Sequence, residues 1–311
     1  MRILLWGSRG WIGGMFTKYA VAAGHEVIAA KSRADDREAV GQEIAASKPT
    51  HLFCLIGRTH GVYEGVAIGS IDYLEKPGKL VENVRDNLMA PVVLSFAAMR
   101  HGLHLTYIGT GCIFEYDGCG GSAEVHVPRQ RGDFEGDVCG FKESDKPNFT
   151  GSSYSTVKGF TDMLVGKEFA EHVLNVRIRM PISAESNERN LINKILKYKN
   201  IIGLPNSVTV LDDLLPRLLG LMEKGTTGTL NACNPGTLYP GEILDMYKKY
   251  VDANHEWTET SKAEIEKQLG NGRSNNCMDV ERLLELCPDF PSAYSSVEKI
   301  MKEWRYFERV D

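Results

Sequence analysis

The fold is decided by residues 2–13, Arg2-Ile3-Leu4-Leu5-Trp6-Gly7-Ser8-Arg9-Gly10-Trp11-Ile12-Gly13. The first half of this stretch is apolar, as in a buried strand, and apolar residues then recur at helical spacing through residues 12–20. Gly7 allows the tight turn between them, Gly10 lets the backbone approach a pyrophosphate, and Gly13 lets the helix lie close to the strand. The helix N-terminus attracts phosphates. This order of elements predicts a dinucleotide-binding unit, the alternative being a glycine-rich turn that binds nothing.

Strand-like and helix-like segments alternate beyond this unit. We expect strands over residues 26–30, 51–56, 103–109 and 175–180, and helices over 37–47, 79–101 and from Ser153 onward. Strands separated by such helices predict an α/β fold, a Rossmann-type doubly wound parallel sheet with a smaller C-terminal substrate-binding lobe.

The predicted domain boundaries follow from where this alternation ends. The dinucleotide-binding domain is expected over 1–176, with returning segments near 208–234, and the substrate-binding lobe mainly over 177–311. Residues 117–147, rich in glycine and charge, are predicted to form a surface loop.

Composition excludes several classes of partner. The chain has 311 residues, 36 basic and 41 acidic, for a formal charge of −5, and no long basic run. We therefore expect neither nucleic acid nor an acidic membrane surface as its partner. We recognise no secretory signal and no apolar stretch of membrane-spanning length, which predicts a cytoplasmic protein. The seven cysteines show no CxxC spacing, so thiols rather than disulfides or a metal site are expected.

The end of the second predicted strand indicates which nicotinamide cofactor binds. NAD-binding units usually place an acid there, to bond the ribose 2′-hydroxyl. This chain has Lys31-Ser32-Arg33 and no acid before Asp35, so Ser32 and Arg33 are predicted to hold the 2′-phosphate of NADPH. Solvated surface cations are the other interpretation. The predicted contacts of the glycine-rich turn are Gly7, Ser8, Arg9, Gly10, Trp11, Ile12 and Gly13.

A Tyr-x-x-x-Lys motif, Tyr154 to Lys158, lies on the helix predicted from Ser153. The i, i+4 spacing places both side chains on one helix face, where the ammonium favours the phenolate form of the tyrosine. Lys158 can also reach the nicotinamide ribose. Together with the glycine-rich turn, the motif resembles the short-chain dehydrogenase/reductase family over nearly the whole chain. In that family a Ser or Thr at the end of the fourth strand completes the catalytic triad, a place held here by Thr110.

Longer motifs make the resemblance more specific. They are GCIFEYD at 111–117, KPNFTGS at 146–152, RIRMPIS at 177–183, LPNSVTVLD at 204–212 and RSNN at 273–276. Together they resemble the bifunctional UDP-4-keto-6-deoxy-D-glucose 3,5-epimerase/4-reductases, the UDP-L-rhamnose synthase type. The resemblance implies a nucleotide-linked 4-keto-6-deoxy sugar as substrate, NADPH as cofactor, and a homodimer formed through helices 79–101 and 153–170. The segment 118–140 is longer than its counterpart in the family.

The family's epimerase pair is a cysteine and a lysine. The resemblance assigns these roles to Cys112 and to Lys194, which lies in Asn190-Leu191-Ile192-Asn193-Lys194, a segment with two conservative departures from the family's motif. Protons alpha to a ketone are acidic enough for such groups to remove. Alternatively Cys112 fills space at a strand end and Lys194 is a solvated helix lysine. The predicted substrate contacts are Cys112, Phe149, Arg179, Asn190, Asn206 and Arg273; the two arginines, which can pair with a diphosphate, can equally be structural.

Several other functions remain open. Dehydratases of the family carry Thr-Asp-Glu where this chain has Thr110-Gly111-Cys112, so dehydration is not expected. A GDP-4-keto-6-deoxymannose epimerase/reductase of the GDP-fucose synthase type also uses a cysteine at the position of Cys112. A 4-keto-rhamnose reductase without epimerase activity needs neither Cys112 nor Lys194. A non-catalytic NADPH-binding regulator has no use for the triad of Thr110, Tyr154 and Lys158.

Overall fold

The computed structural model describes residues 1–116, 123–125 and 138–304, with side chains for 1–116 and 140–304. The chain divides into two compact units. Unit 1 contains residues 1–113, 149–177 and 215–230, and unit 2 contains 114–148, 178–214 and 231–311. The sequence predicts a simpler division, with residues 1–176 and returning segments near 208–234 in one domain and 177–311 mainly in the other.

The strands and helices are numbered in chain order. The strands are β1 (Arg2–Trp6), β2 (Glu26–Ala29), β3 (His51–Cys54), β4 (Gly61–Tyr63), β5 (Val66–Ile68), β6 (His104–Thr110), β7 (Ala123–Val125), β8 (Val138–Phe141), β9 (Val173–Ile178), β10 (Pro181–Ile182), β11 (Asn200–Ile202), β12 (Thr209–Val210), β13 (Gly228–Asn231), β14 (Thr258–Thr260) and β15 (Cys277–Met278). The helices are α1 (Trp11–Ala22), α2 (Arg37–Ser47), α3 (Leu80–Val84), α4 (Ala90–His101), α5 (Ser153–Glu168), α6 (Leu191–Ile195), α7 (Leu211–Glu223), α8 (Pro240–Tyr250), α9 (Lys262–Leu269), α10 (Glu281–Leu286) and α11 (Ala293–Trp304). A 3₁₀ helix covers Ile71–Glu75, and a π-helical turn, Arg85–Met89, joins α3 to α4.

A six-stranded sheet, in the order β13-β9-β6-β3-β1-β2, forms the centre of unit 1. Strand β1 pairs in parallel with β2 on one side and β3 on the other, and β3 pairs in parallel with β6. The chain therefore reverses its direction of winding between β1 and β3. Ligands of doubly wound sheets bind at the carboxyl ends of the strands at such a reversal.

Local sequence signals mark the ends of two helices in unit 1. The Asp36 carboxylate caps α2 by accepting hydrogen bonds from the backbone amides of Glu38 and Ala39, both at 3.1 Å. Gly102, with φ of 63°, ends α4 in the left-handed conformation that glycine tolerates. The predicted α/β alternation is confirmed, with boundaries that shift by one or two residues.

A β-hairpin after β3 was not predicted. Strands β4 and β5 pair antiparallel, and the two residues between them, Glu64 and Gly65, have φ values of 49° and 79°. Positive φ at both positions is typical of a type I′ turn. The strands have only three residues each, too few for a periodic signal.

Unit 2 consists of short sheets and helices around a core of its own. Helices α8 and α11 contribute Leu244, Tyr247, Val297 and Trp304 to this core. Strand β8 pairs with β7 and β15, so the prediction of a surface loop over 117–147 is wrong at these strands. The remainder of that segment, 117–122 and 126–137, lies outside the described residues.

No helix within the described ranges is long and apolar enough to cross a membrane. Nor does the part of the chain covered by the structure contain a cluster of three or more His, Cys, Asp or Glu side chains suited to a metal ion.

Candidate active site

The glycine-rich turn after β1 has the geometry of a phosphate cradle. Gly7 has φ of 94°, and the Gly10 amide donates to its carbonyl oxygen at 3.0 Å. A Cβ on Gly13 would lie 2.2 Å from that oxygen, which no side chain tolerates. The turn therefore leaves backbone exposed at the N-terminus of α1, where a pyrophosphate fits.

A carboxylate from helix α2 lies at the end of β2, where the local sequence has no acid. Both carboxylate oxygens of Glu43, on α2, accept backbone hydrogen bonds, from Lys31 and Ser32, each at 2.8 Å. Arg33 forms an ion pair with Asp35 at 2.8 Å. The sequence prediction missed Glu43 because it lies eleven residues beyond Ser32, on the next helix.

Thr110 and Cys112 lie at the carboxyl end of β6. The Thr110 hydroxyl accepts a hydrogen bond from the Cys112 backbone amide at 3.0 Å, which fixes the chain as it leaves the strand. Cys112 packs against a small apolar cluster formed by Tyr73, Leu74 and Tyr154. The fold thus brings the predicted epimerase thiol and the predicted reductase phenol to the same cluster.

Helix α5 positions Tyr154 and Lys158. Its N-terminus is capped by Ser152, whose hydroxyl accepts from the Ser155 amide at 3.1 Å. The Ser153 hydroxyl accepts from the side-chain amide of Asn83 at 2.8 Å. Tyr154 is 8% exposed and Lys158 4%, so both lie on the buried face of the helix.

The Lys158 ammonium donates a hydrogen bond to the hydroxyl of Tyr107 on β6, a residue that the sequence did not single out. Burial is the largest influence on Lys158 and lowers its pKa to about 8, although Cys54, Asp162 and Cys112 oppose the shift. Burial also raises the pKa of Tyr107 well above its ordinary value, so this group remains a neutral phenol.

Asp162, one turn after Lys158 on α5, is held by a buried ion pair. Its carboxylate accepts from the Arg177 guanidinium at 2.8 and 2.6 Å, and from the Asn175 side-chain amide at 2.8 Å. All three side chains are buried. A bidentate pair of this kind fixes both partners, and here it anchors the middle of α5 against β9.

Two buried asparagines connect the loop after β3 with α5. Asn87, in the π-helical turn, accepts from the Arg58 amide and donates to its carbonyl oxygen, each at 2.9 Å. It also donates to Asn83 at 2.8 Å, and the Thr161 hydroxyl donates to the Asn87 carbonyl at 2.6 Å. π-Helical turns are rare and often lie at functional sites.

The predicted substrate residues are divided between the units. Phe149 is in unit 1, where its amide donates to the Ile113 carbonyl at 3.0 Å. Unit 2 contains Arg179, Asn190, Lys194, Asn206 and Arg273.

Within unit 2, Arg179 and Asn206 belong to one buried polar cluster. The Arg179 guanidinium donates to Asn206 Oδ1 at 2.7 Å and to the Ser274 carbonyl. Asn190 instead caps α6, accepting from the Ile192 amide at 3.2 Å, and donates to the Ser183 carbonyl at 2.7 Å. The Arg273 guanidinium donates to the side chain of Asn271.

Comparison with known proteins extends these observations. No family model matches the chain. Protein L780 of Acanthamoeba polyphaga mimivirus is 42% identical over 306 residues, which cover 98% of this chain and 99% of L780. The crystal structure of the L780 UDP-rhamnose synthase matches with a TM-score of 0.88 at 43% identity, covering 97% of this chain and 99% of that one. This chain belongs to the UDP-rhamnose synthase family of nucleotide-sugar epimerase/reductases.

A second relative combines the same two activities in its name. The bifunctional dTDP-4-dehydrorhamnose 3,5-epimerase/dTDP-4-dehydrorhamnose reductase of Arabidopsis thaliana is 36% identical over 301 residues, covering 96% of this chain and 92% of that protein. The dTDP-4-dehydrorhamnose reductase of Bacillus anthracis, solved in complex with NADP, matches with a TM-score of 0.72 at 17% identity and covers 99% of each chain. At this identity the match shows the fold alone. Members of the epimerase/reductase family are enzymes, and this chain is one.

Proposed function

We propose that this enzyme converts UDP-4-keto-6-deoxy-D-glucose to UDP-L-rhamnose, by epimerisation at C3 and C5 and NADPH-dependent reduction at C4. One observation carries the proposal: Cys112, which simple reduction does not need, packs in the same cluster as Tyr154. The family relationship to the L780 UDP-rhamnose synthase supports the choice of substrate.

Tyr154 and Lys158 perform the proton transfer of the reductive half. A reduced nicotinamide, when bound, supplies the hydride that C4 accepts. The Tyr154 phenol donates a proton to the developing C4 alkoxide, and the Lys158 ammonium stabilises the resulting phenolate. Thr110 binds the same oxygen from the end of β6. Because Tyr154 and Lys158 are buried, water competes little for these groups.

Cys112 and Lys194 perform the epimerisation. Inversion requires removal of a proton from one face of the sugar ring and its return on the other, so two groups are needed. The Cys112 thiolate takes the protons at C3 and C5, which the C4 ketone acidifies, and Lys194 returns them. In this proposal unit 1 binds the cofactor. Arg179 and Asn206 of unit 2 bind the nucleotide-linked sugar.

The cofactor cradle fits a nicotinamide dinucleotide. A Cβ on Gly7, Gly10 or Gly13 would crowd neighbouring atoms, so glycine at these positions permits the tight strand-to-helix turn that holds a pyrophosphate in such folds. Arg9, exposed beside the turn, and Arg33 supply positive charge for a 2′-phosphate. We infer from these cations that NADPH is preferred to NADH, and turnover with NADH equal to that with NADPH would contradict this.

The decisive experiment follows deuterium and product separately. The protein is incubated in D₂O with NADPH and either the UDP- or the GDP-linked 4-keto-6-deoxy sugar, and the products are analysed by NMR. UDP-L-rhamnose labelled at C3 and C5 is expected. Cys112→Ser and Lys194→Ala should lose the label but still reduce a substrate that is already epimerised, whereas Tyr154→Phe should bind NADPH and not oxidise it.

The outcomes separate the alternatives. Label incorporation that survives in Lys194→Ala would remove Lys194 from the mechanism. Reduction of the pre-epimerised sugar with no labelling in the wild-type enzyme would indicate a plain reductase. Turnover of the GDP-linked sugar alone would indicate the GDP-fucose synthase type.

We also propose that the enzyme is a homodimer formed through the α3–α4 segment and α5. Phe160, Met163 and Leu164 lie three and four residues apart on one face of α5 and are all exposed, Phe160 by 55%. Leu80 and Val81, at the start of α3, are exposed by 56% and 72%. Apolar side chains grouped on neighbouring helices are typical of a subunit interface.

A further inference from the structure

The backbone amides at the end of β2 form an anion site, and the carboxylate of Glu43 occupies it. The Glu43 carboxylate accepts hydrogen bonds from the backbone amides of Lys31 and Ser32, both at 2.8 Å, and from the Ser32 hydroxyl. The Trp6 indole N–H donates to that hydroxyl at 3.2 Å and so holds it in place. Successive backbone amides of this kind are the donors that proteins use for phosphate.

Glu43 is a carboxylate at neutral pH. Partial burial raises the pKa of Glu43, but the hydrogen bonds from Ser32 and Lys31 and the Lys31 charge outweigh burial and lower it overall. Arg33, the residue after Ser32, is paired with Asp35 at 2.8 Å. The charge presented at the end of β2 is therefore mixed, and less positive than Lys31-Ser32-Arg33 indicates alone.

The adenosine ribose of a dinucleotide lies at the end of the second strand in folds of this kind. A 2′-hydroxyl there can donate to a carboxylate, whereas a 2′-phosphate meets its negative charge. We propose that Glu43 reduces the preference of this enzyme for NADPH over NADH, by bonding the 2′-hydroxyl of NADH and opposing the 2′-phosphate of NADPH. Arg9, Lys31 and Arg33 act in the opposite sense, so Glu43 limits the preference for NADPH. The inference rests on the proposed function only in assuming a nicotinamide cofactor.

The test is a pair of binding titrations that need no sugar substrate. Dissociation constants for NADPH and NADH are measured by cofactor fluorescence for the wild-type enzyme and for Glu43→Gln. We expect the variant to bind NADPH at least about threefold more tightly and NADH more weakly. Because a hydrogen bond to a charged group is worth roughly a tenfold change in affinity, the ratio of the two constants should rise about tenfold or more.

A matched control separates a local effect from a general change of charge. Glu38→Gln removes the same charge from the same helix, at a residue whose carboxylate accepts only from Gln42 among the described side-chain hydrogen bonds. Its selectivity ratio should stay within about twofold of the wild-type ratio, since surface charges are screened in salt. Glu43→Asp keeps the charge but is too short for both amides, and should shift the ratio in the same direction by a smaller factor.

Two results would overturn the inference. One is a ratio of the NADH to the NADPH dissociation constant that in Glu43→Gln stays within twofold of the wild-type ratio, while the melting temperature and NADPH binding are retained. The other is a shift toward NADH. If the sugar assay fails while the ratio still changes, the proposed reaction is wrong and the role of Glu43 stands. A wild-type enzyme that binds neither nucleotide overturns both.

Discussion

The Lys158 ammonium is held by a side chain from the sheet as well as by its own helix, α5. Its ammonium lies 4.7 Å from the centre of the Tyr107 ring and donates to that hydroxyl. Tyr107 is 1% exposed and pairs in register with Cys54 of β3. With one of its three donors occupied by Tyr107, the ammonium keeps two for Tyr154 and a ribose hydroxyl.

Removing the Tyr107 hydroxyl should move the alkaline limb of the pH profile for reduction. The alkaline limb of kcat/KM for NADPH reports a pKa of the free enzyme. It is expected near pH 8, where Lys158 loses its proton. Tyr107→Phe removes an acceptor from the charged form, so the pKa of Lys158 should fall further and the limb should move to lower pH by about one unit. Steady-state rates from pH 6 to 10 measure this.

The matched control is Tyr247→Phe, the same substitution at a buried tyrosine in the core of unit 2. It should leave the limb in place. An unchanged limb in Tyr107→Phe would show that Tyr107 only fills space.

The network around Asn87 shows how one side chain determines the course of a helix. The sequence predicts an uninterrupted helix over 79–101, and the structure widens it at Arg85–Met89 into a π-helical turn. Asn87 satisfies both the backbone amide and the carbonyl of Arg58, in a loop that makes no regular pairing of its own there. Hydrophobic periodicity cannot reveal such a contact, because it depends on a loop 29 residues away.

Asn87→Ala should destabilise the protein strongly. It leaves the buried side-chain oxygen of Asn83, and the partly buried amide and carbonyl of Arg58, without their partner. A buried polar group without a partner costs about 1–3 kcal/mol. The free energy of unfolding, measured in urea, should fall by roughly 2–4 kcal/mol, with reduction impaired as Tyr154 and Lys158 lose their support. Gln42→Ala, which removes an exposed amide on α2, should change it by less than about 0.5 kcal/mol. A similar loss in both variants would contradict the argument.

Features with a local sequence signal could be predicted from the sequence, whereas contacts between distant elements could not. The strands and helices around the sheet, and the glycine-rich turn, have strong local signals, and their prediction is confirmed. Thr110, Cys112, Tyr154 and Lys158 were found through short motifs and resemblance, and their assigned roles stay predictions. Glu43, Tyr107 and Asn87 act through contacts between elements distant in the chain, and no local pattern marks them.

Acid should destabilise the fold through two histidines of unit 1. His51 Nε2 bonds the Met222 carbonyl at 3.2 Å and His104 Nε2 bonds the Thr226 carbonyl at 2.7 Å. Burial lowers the pKa of both, aided for His51 by the charge of His104, and the carbonyl bonds only partly compensate. The folded protein therefore holds them neutral, while the unfolded chain takes up protons near pH 6.5. Stability is complete above that pH and is lost as the pH falls through and below it.

Melting temperatures from pH 8 to 5 measure this dependence. A fall of about 1.5 °C is expected for each 1 kcal/mol lost, because the entropy of unfolding is roughly 2.1 cal/mol/K per residue. His104→Gln keeps a donor but does not titrate, so its melting temperature should depend less on pH over that range. Equal slopes for variant and wild type would contradict the assignment.

The proposed dimer has an equally direct test. Phe160→Glu places a charge on the exposed apolar face of α5, and light scattering at micromolar concentration should then give a monomer. Leu269→Glu makes the same change at an exposed leucine on α9, 43% exposed, and should remain dimeric. A wild-type protein that is already monomeric refutes the proposal.

The division of the chain into alternating segments has a consequence for its synthesis. Unit 1 needs residues 215–230, which include most of the edge strand β13, and unit 2 needs helix α11, which contributes Val297 and Trp304 to its core. A ribosome that has released only the first 200 residues has therefore completed neither unit. Proteins built from consecutive domains can fold the first while the second is being translated. This chain must instead keep β9 without its neighbour β13 until residues 228–231 have been translated, so the nascent protein is expected to depend on chaperones that shield open sheet edges.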